Sequence, residues 1–471
     1  MTGMNENPLA LLPELFLLGG AVAGLLLGSW SPRRRQGLVR WLATATAVGG
    51  LVATASARQG ETVFGGAYAV DTATTAARAI VLVSVLLALW LSADAVTGHR
   101  RETEFAVLVQ LGGLGAVVMA GANDLLLLFA AFLLAGVPFY ALVGWAGDAR
   151  ATEAAMKYYL SGAFSGVAMV TGVALVYGAG RATAYPALRE GLATAPAALA
   201  AVGLVAVLAG LAFKAGAVPA QFWVPDVTDG TPAPVAAVVT TIPKVGALVG
   251  AYRLLDVAVP ADVVAWPVLL AVLAAASMSL GNLAAFFQTS VQRLLAYSTI
   301  SQVGYLLMAV AVAGRAPEAL PGLLFYLAGY AVTNLGAFAV VAALPRARTL
   351  DDMRGLARRA PAPAGALVVC LLGLIGTPPT AVFLGKLTLF TAAVDGGMAW
   401  LAVVAIVNTV ASVFYYLRWI APAFRADAGD GAEQPVARRA AVVAVLAAAV
   451  SVLLGIGGGA VLPLVTGGLV S

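Results

Sequence analysis

Apolar runs of about 20 residues recur along the whole of this 471-residue chain, and nothing else in the sequence constrains the fold so strongly. An α-helix rises ~1.5 Å per residue, so each run is long enough to cross the ~30 Å hydrocarbon core of a bilayer. Fourteen spans are expected, at 9–29, 38–57, 77–96, 105–121, 124–145, 158–178, 197–219, 234–255, 264–286, 297–313, 320–343, 364–392, 398–421 and 438–460. Hydrophobic side chains make up 61% of the chain and charged ones 10%, and the mean hydropathy is +0.95. That is too little charge to keep a soluble surface of this size wet. The expected fold is therefore all-α and polytopic, a single membrane domain over 1–471. The first run is too long, and lacks the basic flank, for a cleavable signal peptide, and it is taken as span 1.

The rare reactive residues exclude several functions. A single cysteine, Cys370, lies inside span 12 and cannot hold an iron–sulfur cluster or close an intrachain disulfide. The one histidine, His99, falls in a loop, so neither metal nor haem is expected on this chain. Loops after odd-numbered spans carry sixteen arginines, whereas the opposite loops carry five: Arg58, Arg181, Arg189, Arg253 and Arg315. By the positive-inside rule, the arginine-rich loops face the cytoplasm and both termini lie outside. The net charge of +5 is mostly this bias and gives no reason to invoke nucleic acid. The polar segment 346–365 is basic and Pro-rich, and is expected to lie against cytoplasmic headgroups.

Two halves of the chain echo one another. The stretch 158-YYLSGAFSGVAM-169 resembles 325-FYLAGYAVTNLG-336, and a similar separation divides span 7, which meets Pro219, from span 12, interrupted by 377-TPPT-380. Helix-breaking segments at corresponding positions suggest two inverted five-helix repeats, 105–255 and 264–421, with broken helices 7 and 12 and a site near the midplane.

Lysine usage points to where that site lies. Only four of the 27 basic residues are lysines, and three of them, Lys214, Lys244 and Lys386, fall within long apolar runs. A lysine at the bilayer centre costs roughly 2.5–3.5 kcal/mol on insertion scales. Unlike arginine, a desolvated lysine can give up its proton, which makes it suited to a proton relay. Lys157 opens span 6, where its stem can equally snorkel to headgroups. Breaks near Pro219, Pro243 and Pro378–Pro379 would let water line the path. Polar side chains able to hold such water are Thr240, Thr241, Ser298, Thr299, Ser301, Gln302, Tyr305, Thr333, Asn334 and Thr388. Each taken singly is more often an interhelical hydrogen bond.

At this level of detail the chain resembles the antiporter-like membrane subunits of proton-pumping NADH–quinone oxidoreductase, respiratory complex I, and within them subunit N. The matching stretches include 12-LPELFLL-18, 122-ANDLLLLF-129, 153-EAAMKYYLSGAF-164, 211-LAFKAGAVPAQFWVPDVTDGTPAPV-235, 281-GNLAAFFQTSVQRLLAYSTISQVGY-305, 334-NLGAF-338, 351-DDMRGL-356 and 376-GTPPTAVFLGKLTLF-390. The resemblance implies that Lys214 is the broken-helix lysine of span 7, Lys244 the central lysine of span 8 and Lys386 the exit-side lysine of span 12. Lys157 matches a span 6 lysine of less settled role. It also implies that NADH, flavin, iron–sulfur clusters and quinone belong to partner subunits. Expected neighbours are the antiporter-like subunit M and the small membrane subunits, in a bacterial plasma (inner) membrane.

Three departures from the family pattern stand out. Where the family carries a span 5 glutamate five residues before a proline, 131-AFLLAGVP-138 has Leu133. That removes the carboxylate that would favour a charged Lys214, and Asp124, nine residues earlier, is ~13 Å away along a helix. Gln221 and Gln302 stand where histidines are usual, and glutamine does not titrate. These substitutions keep two rival readings open: a cation–proton antiporter subunit, and a non-pumping structural subunit of the complex.

Overall fold

In the computed structural model, which describes residues 7–57, 59–425 and 435–470, the expected spans form a helical bundle. With no water in a bilayer core, each span must satisfy its backbone internally, and the helix does so. Thirteen helices among the described residues are long and apolar enough to cross a membrane. They are Pro8–Trp30, Arg33–Ser56, Thr72–Leu91, Glu102–Gly121, Leu125–Val143, Ala149–Gly180, Ala197–Ala215, Ala233–Ala258, Trp266–Ala285, Val291–Ala311, Ala319–Ala343, Ala399–Phe424 and Arg438–Ile456. These are spans 1–11, 13 and 14. Span 12 is divided into Pro361–Ile375 and Ala381–Asp395.

Capping side chains explain where the spans depart from the apolar runs. Span 3 begins at Thr72 rather than 77, because the Asp71 carboxylate accepts the Thr74 N–H at 3.0 Å. Asp148 likewise accepts from Ala151 and starts span 6 nine residues before its apolar run. Ser290 caps span 10 in the same way, accepting from Arg293. A short antiparallel hairpin, Glu61–Val63 with Tyr68–Val70, joins spans 2 and 3 and was not expected from the sequence. Arg58 and residues 426–434 of the last polar loop lie outside the described residues.

Span 8 is buried along its whole apolar window, and spans 10 and 11 along 94% of theirs, so these three form the core of the bundle. Span 6 packs on span 7, and span 9 on span 10. Small residues permit this closeness: a Cβ on Gly304 would stand 2.6 Å from Met278 N and 2.7 Å from Ala274 O. Before span 12 the segment Asp351–Arg359 turns 120° away from Pro361–Ile375. Its Met353 and Leu356 are buried while Asp351, Asp352, Arg358 and Arg359 are exposed, the one-sided pattern of a surface-lying segment.

Of the three expected breaks, the one at Pro243 is absent: span 8 runs unbroken through it as one helix, Ala233–Arg253, because its neighbours hold the helix on both sides of the proline. The other two are present and close alike. Helix Ala197–Ala215 of span 7 ends at Gly216 (φ 79°), and the first half of span 12 ends at Gly376 (φ 89°). In each, the residue after the glycine returns its N–H five residues back, Ala217 to Ala212 O at 2.8 Å and Thr377 to Leu372 O at 3.1 Å. This is the Schellman closure, which needs the left-handed backbone that glycine adopts without cost. After the span 7 break comes a short helix, Trp223–Gly230. Span 5 carries a third break, between Leu125–Leu134 and Val137–Val143, just before Pro138.

Candidate site: buried lysines at the helix breaks

The four lysines separate into two groups. Lys214, Lys244 and Lys386 are buried, whereas the Lys157 side chain is 47% exposed. Lys157 pairs with Glu153 at 2.9 Å and Asp226 at 3.0 Å on the polar end of span 6. The helix begins early enough, at its Asp148 cap, to hold Lys157 beyond the apolar run. It is a surface ion-pairing group and does not join the interior three.

Each buried amine faces a break. Lys214 lies in the last turn before Gly216, and its Nζ points to the span 5 break, where a Cβ on Gly136 would approach it at 2.7 Å. It sits 4.1 Å from the Phe132 ring centre and 5.8 Å from that of Tyr140. Lys244 follows Pro243 in span 8 and faces the span 7 break from the other side. A Cβ on Gly216 would lie 3.4 Å from its Nζ, and the Trp223 ring centre is 5.4 Å away. Neither Lys214 Nζ nor Lys244 Nζ has a hydrogen-bond partner among the described residues. Their neighbours are aromatic faces, which attract a cation but accept no conventional hydrogen bond.

Lys386 has a different environment. From the second half of span 12 it donates to Ile375 O at 2.9 Å and Leu374 O at 3.5 Å, the final carbonyls of the first half. A broken helix leaves such carbonyls without intrahelical donors, and the negative end of the helix dipole favours a cation there. Thr409 Oγ1 at 3.5 Å and the Tyr305 ring at 3.9 Å complete the surroundings.

Between Lys244 and Lys386 lie two clusters of hydrogen-bonded side chains. Asn334 Nδ2 donates to Thr240 Oγ1 (3.1 Å) and Thr241 Oγ1 (2.9 Å), one turn before Lys244. Tyr330 OH donates to Thr240 O (2.8 Å) and shares a hydrogen bond with the Thr299 hydroxyl (3.2 Å). One turn along span 10, Gln302 Nε2 donates to Leu374 O at 2.7 Å, the carbonyl that Lys386 also reaches, while Tyr326 OH donates to Gln302 Oε1. Thr240, Thr241, Thr299, Gln302, Tyr305 and Asn334 were expected from the sequence to line such a path. Tyr326, Tyr330 and Thr409 were not, although Tyr326 and Tyr330 share a face of span 11 at i, i+4. Ser298 and Thr333 bond elsewhere, to Tyr416 and Ser451, and Thr388 bonds its own helix at Leu384 O.

The departures from the family pattern also take their places. Leu133 is 43% exposed and turned outward, and Asp124 uses its carboxylate to cap Leu126 and Leu127. Gln221 is buried beside the span 7 break.

Sequence and structural comparisons place these features in a family. A family profile described as "NADH:quinone oxidoreductase/Mrp antiporter, TM" matches residues 122–412. The subunit named NADH-quinone oxidoreductase subunit N 1 of Streptomyces griseus subsp. griseus is 62% identical over 98% of both chains. The chain belongs to the NADH–quinone oxidoreductase subunit N family. A chain of respiratory complex I from Thermus thermophilus superposes with a TM-score of 0.84 at 32% identity, over 97% of this chain and 100% of that one. A chain of the Mrp complex from Dietzia sp. shares the fold alone, with a TM-score of 0.84 at 22% identity over 97% and 96%. The three interior lysines and both glycine-capped breaks of this chain lie within the matched residues 122–412.

Proposed function

We propose that this chain is a proton-translocating membrane subunit of a complex I-type NADH–quinone oxidoreductase, moving protons along a Lys214–Lys244–Lys386 axis. The observation that carries the reading is the placement of the three buried amines at helix breaks, with hydrogen-bonded side chains lying between Lys244 and Lys386. In this scheme Lys244 takes a proton in the core, and the Tyr330, Thr299 and Gln302 groups orient the water that passes it on. Lys386 receives the proton where carbonyl acceptors favour an ammonium. The chain carries no redox step and belongs to an enzyme as a translocase subunit. Quinone reduction, with NADH, flavin and iron–sulfur clusters, belongs to partner subunits and supplies the drive. Its neighbours are antiporter-like subunit M and small membrane subunits, in the bacterial plasma (inner) membrane, with both termini on the outer side. The paired closures at Gly216 and Gly376 support reading 105–255 and 264–421 as inverted repeats.

Two other readings have a specific observation behind them. The fold shared with the Mrp chain suits a cation–proton antiporter subunit. The outward Leu133 leaves Lys214 without a carboxylate and suits a non-pumping structural subunit. NADH-driven proton uptake per electron in inverted vesicles, matched for assembled complex, separates them. Lys214→Ala is expected to lower the ratio. An unchanged ratio would favour the structural reading, and uptake independent of NADH would favour the antiporter.

A further inference from the structure

We propose that Asp226 is a positioning residue for Lys244, acting through the short helix Trp223–Gly230. This rests on the proton-carrying role of Lys244 proposed above. The helix has eight residues, and isolated helices below ~12–15 residues are marginal, so its position depends on what holds it. Its polar side is held on two flanks. Asp226 accepts from Lys157 of span 6 at 3.0 Å and from Arg293 of span 10 at 3.1 Å. One turn on, Asp229 accepts from Arg150 of span 6 at 3.2 Å and from Ser290, the cap of span 10, at 2.6 Å. Two cations from different spans thus meet on one carboxylate, and the next carboxylate bridges the same two spans through one cation and one hydroxyl.

The other end of the same helix reaches the buried site. Trp223 is one turn, ~4.5 Å of rise, before Asp226. Its ring stacks on Tyr158 with centres 4.4 Å apart, and its indole N–H donates to Phe213 O at 2.9 Å. The ring face is 5.4 Å from Lys244 Nζ, and it is one of the few groups close to that amine. Tyr158 follows Lys157 directly in span 6, so the ion pair and the stack register the same two segments. The helix therefore behaves as a strut: charges fix one end, and an aromatic face is presented to Lys244 at the other. This gives Lys157 a function that needs no proton transfer through it.

The test uses the assembled complex and reads NADH-driven proton translocation per electron, with samples matched for subunit content. Asp226→Asn is expected to lower the ratio about two-fold, on the scale of partly exposed ion pairs. Asp226→Glu, which keeps the charge, restores most of it. Trp223→Phe lowers the ratio similarly, and the double variant Asp226→Asn/Trp223→Phe loses no more than either alone, because both act on one contact. Should Asp226→Asn fail to assemble, Lys157→Ala, which removes one arm of the same clamp, carries the test with the same criteria. The proposal is overturned if these variants leave the ratio unchanged while Lys244→Ala lowers it, or if the two losses multiply. If Lys244→Ala itself leaves the ratio unchanged, the proton-carrying role fails first.

Discussion

Arg253 and Asp71 are joined by two hydrogen bonds of 2.7 Å, with Arg253 also reaching Thr74 and Ala120 O. Both side chains are almost fully buried, and this pair ties the end of span 8 to the start of span 3. Removing one member of a buried pair strands the other charge, so Arg253→Ala should cost about 3–5 kcal/mol. Thermal unfolding of the purified complex, followed through this subunit, measures that loss. Burial pushes the Asp71 carboxyl up, but the Arg253 guanidinium and the Thr74 and Val470 N–H groups outweigh it and hold the group below the usual carboxylate range. A depressed folded value means that the stabilisation is fully present above the unfolded value of about 4 and is lost as pH falls below it. Asp71→Asn should therefore lower the midpoint at neutral pH and flatten its fall in acid. Equal acid sensitivity in both proteins would refute this. Arg253 illustrates a limit of reading charges from sequence: it counts as a loop arginine by position, yet it is buried and paired across 182 residues. Arg78 is likewise buried and bonds Glu14 at 2.7 and 2.9 Å, 64 residues away in sequence. Partners so far apart leave no local spacing to detect. The lysines were legible because their type and their apolar surroundings are both local.

Among the elements, the breaks decide the chemistry. Gly376 takes a left-handed φ, and a Cβ there would lie 2.9 Å from Lys386 Cδ. Gly376→Ala should therefore strain the turn by about 1–2 kcal/mol and push Lys386 off its carbonyl acceptors. Gly365, in the first half of the same span, has open space where its Cβ would be. Gly365→Ala should be neutral or stabilise by up to ~1 kcal/mol. Proton translocation per electron and the unfolding midpoint together check the pair, and equal effects at the two sites would rule out the geometry described. Breaks 7 and 12 were readable from Pro219 and the 377-TPPT-380 segment, each near a lysine. The span 5 break was not, because Pro138 alone is compatible with a continuous kinked helix. The early starts of spans 3, 6 and 10 escaped the hydropathy pattern because caps are polar and precede the apolar run.

At the scale of the whole molecule, the most buried helices carry the polar path. Spans 8, 10 and 11 hold Lys244, Thr299, Gln302, Tyr330 and Asn334, while the outer spans turn apolar faces to the surroundings. Burying a polar group costs less when it is paired, so the hydrogen bonds of Thr299, Gln302, Tyr330 and Asn334 are also part of the packing, and the Lys244 amine, unpaired among the described residues, stands apart from them. The span count and the family were legible from composition and motif order. The wiring between lysines was not, because it depends on which helices become neighbours. The most direct test of the account is proton translocation per electron with Lys244→Arg beside Lys244→Ala, in vesicles matched for assembled complex. Arginine keeps the positive charge but does not release its proton. The account predicts that both variants lower the ratio alike. A wild-type ratio with arginine would show that Lys244 supplies a fixed charge, and would contradict a proton-carrying axis.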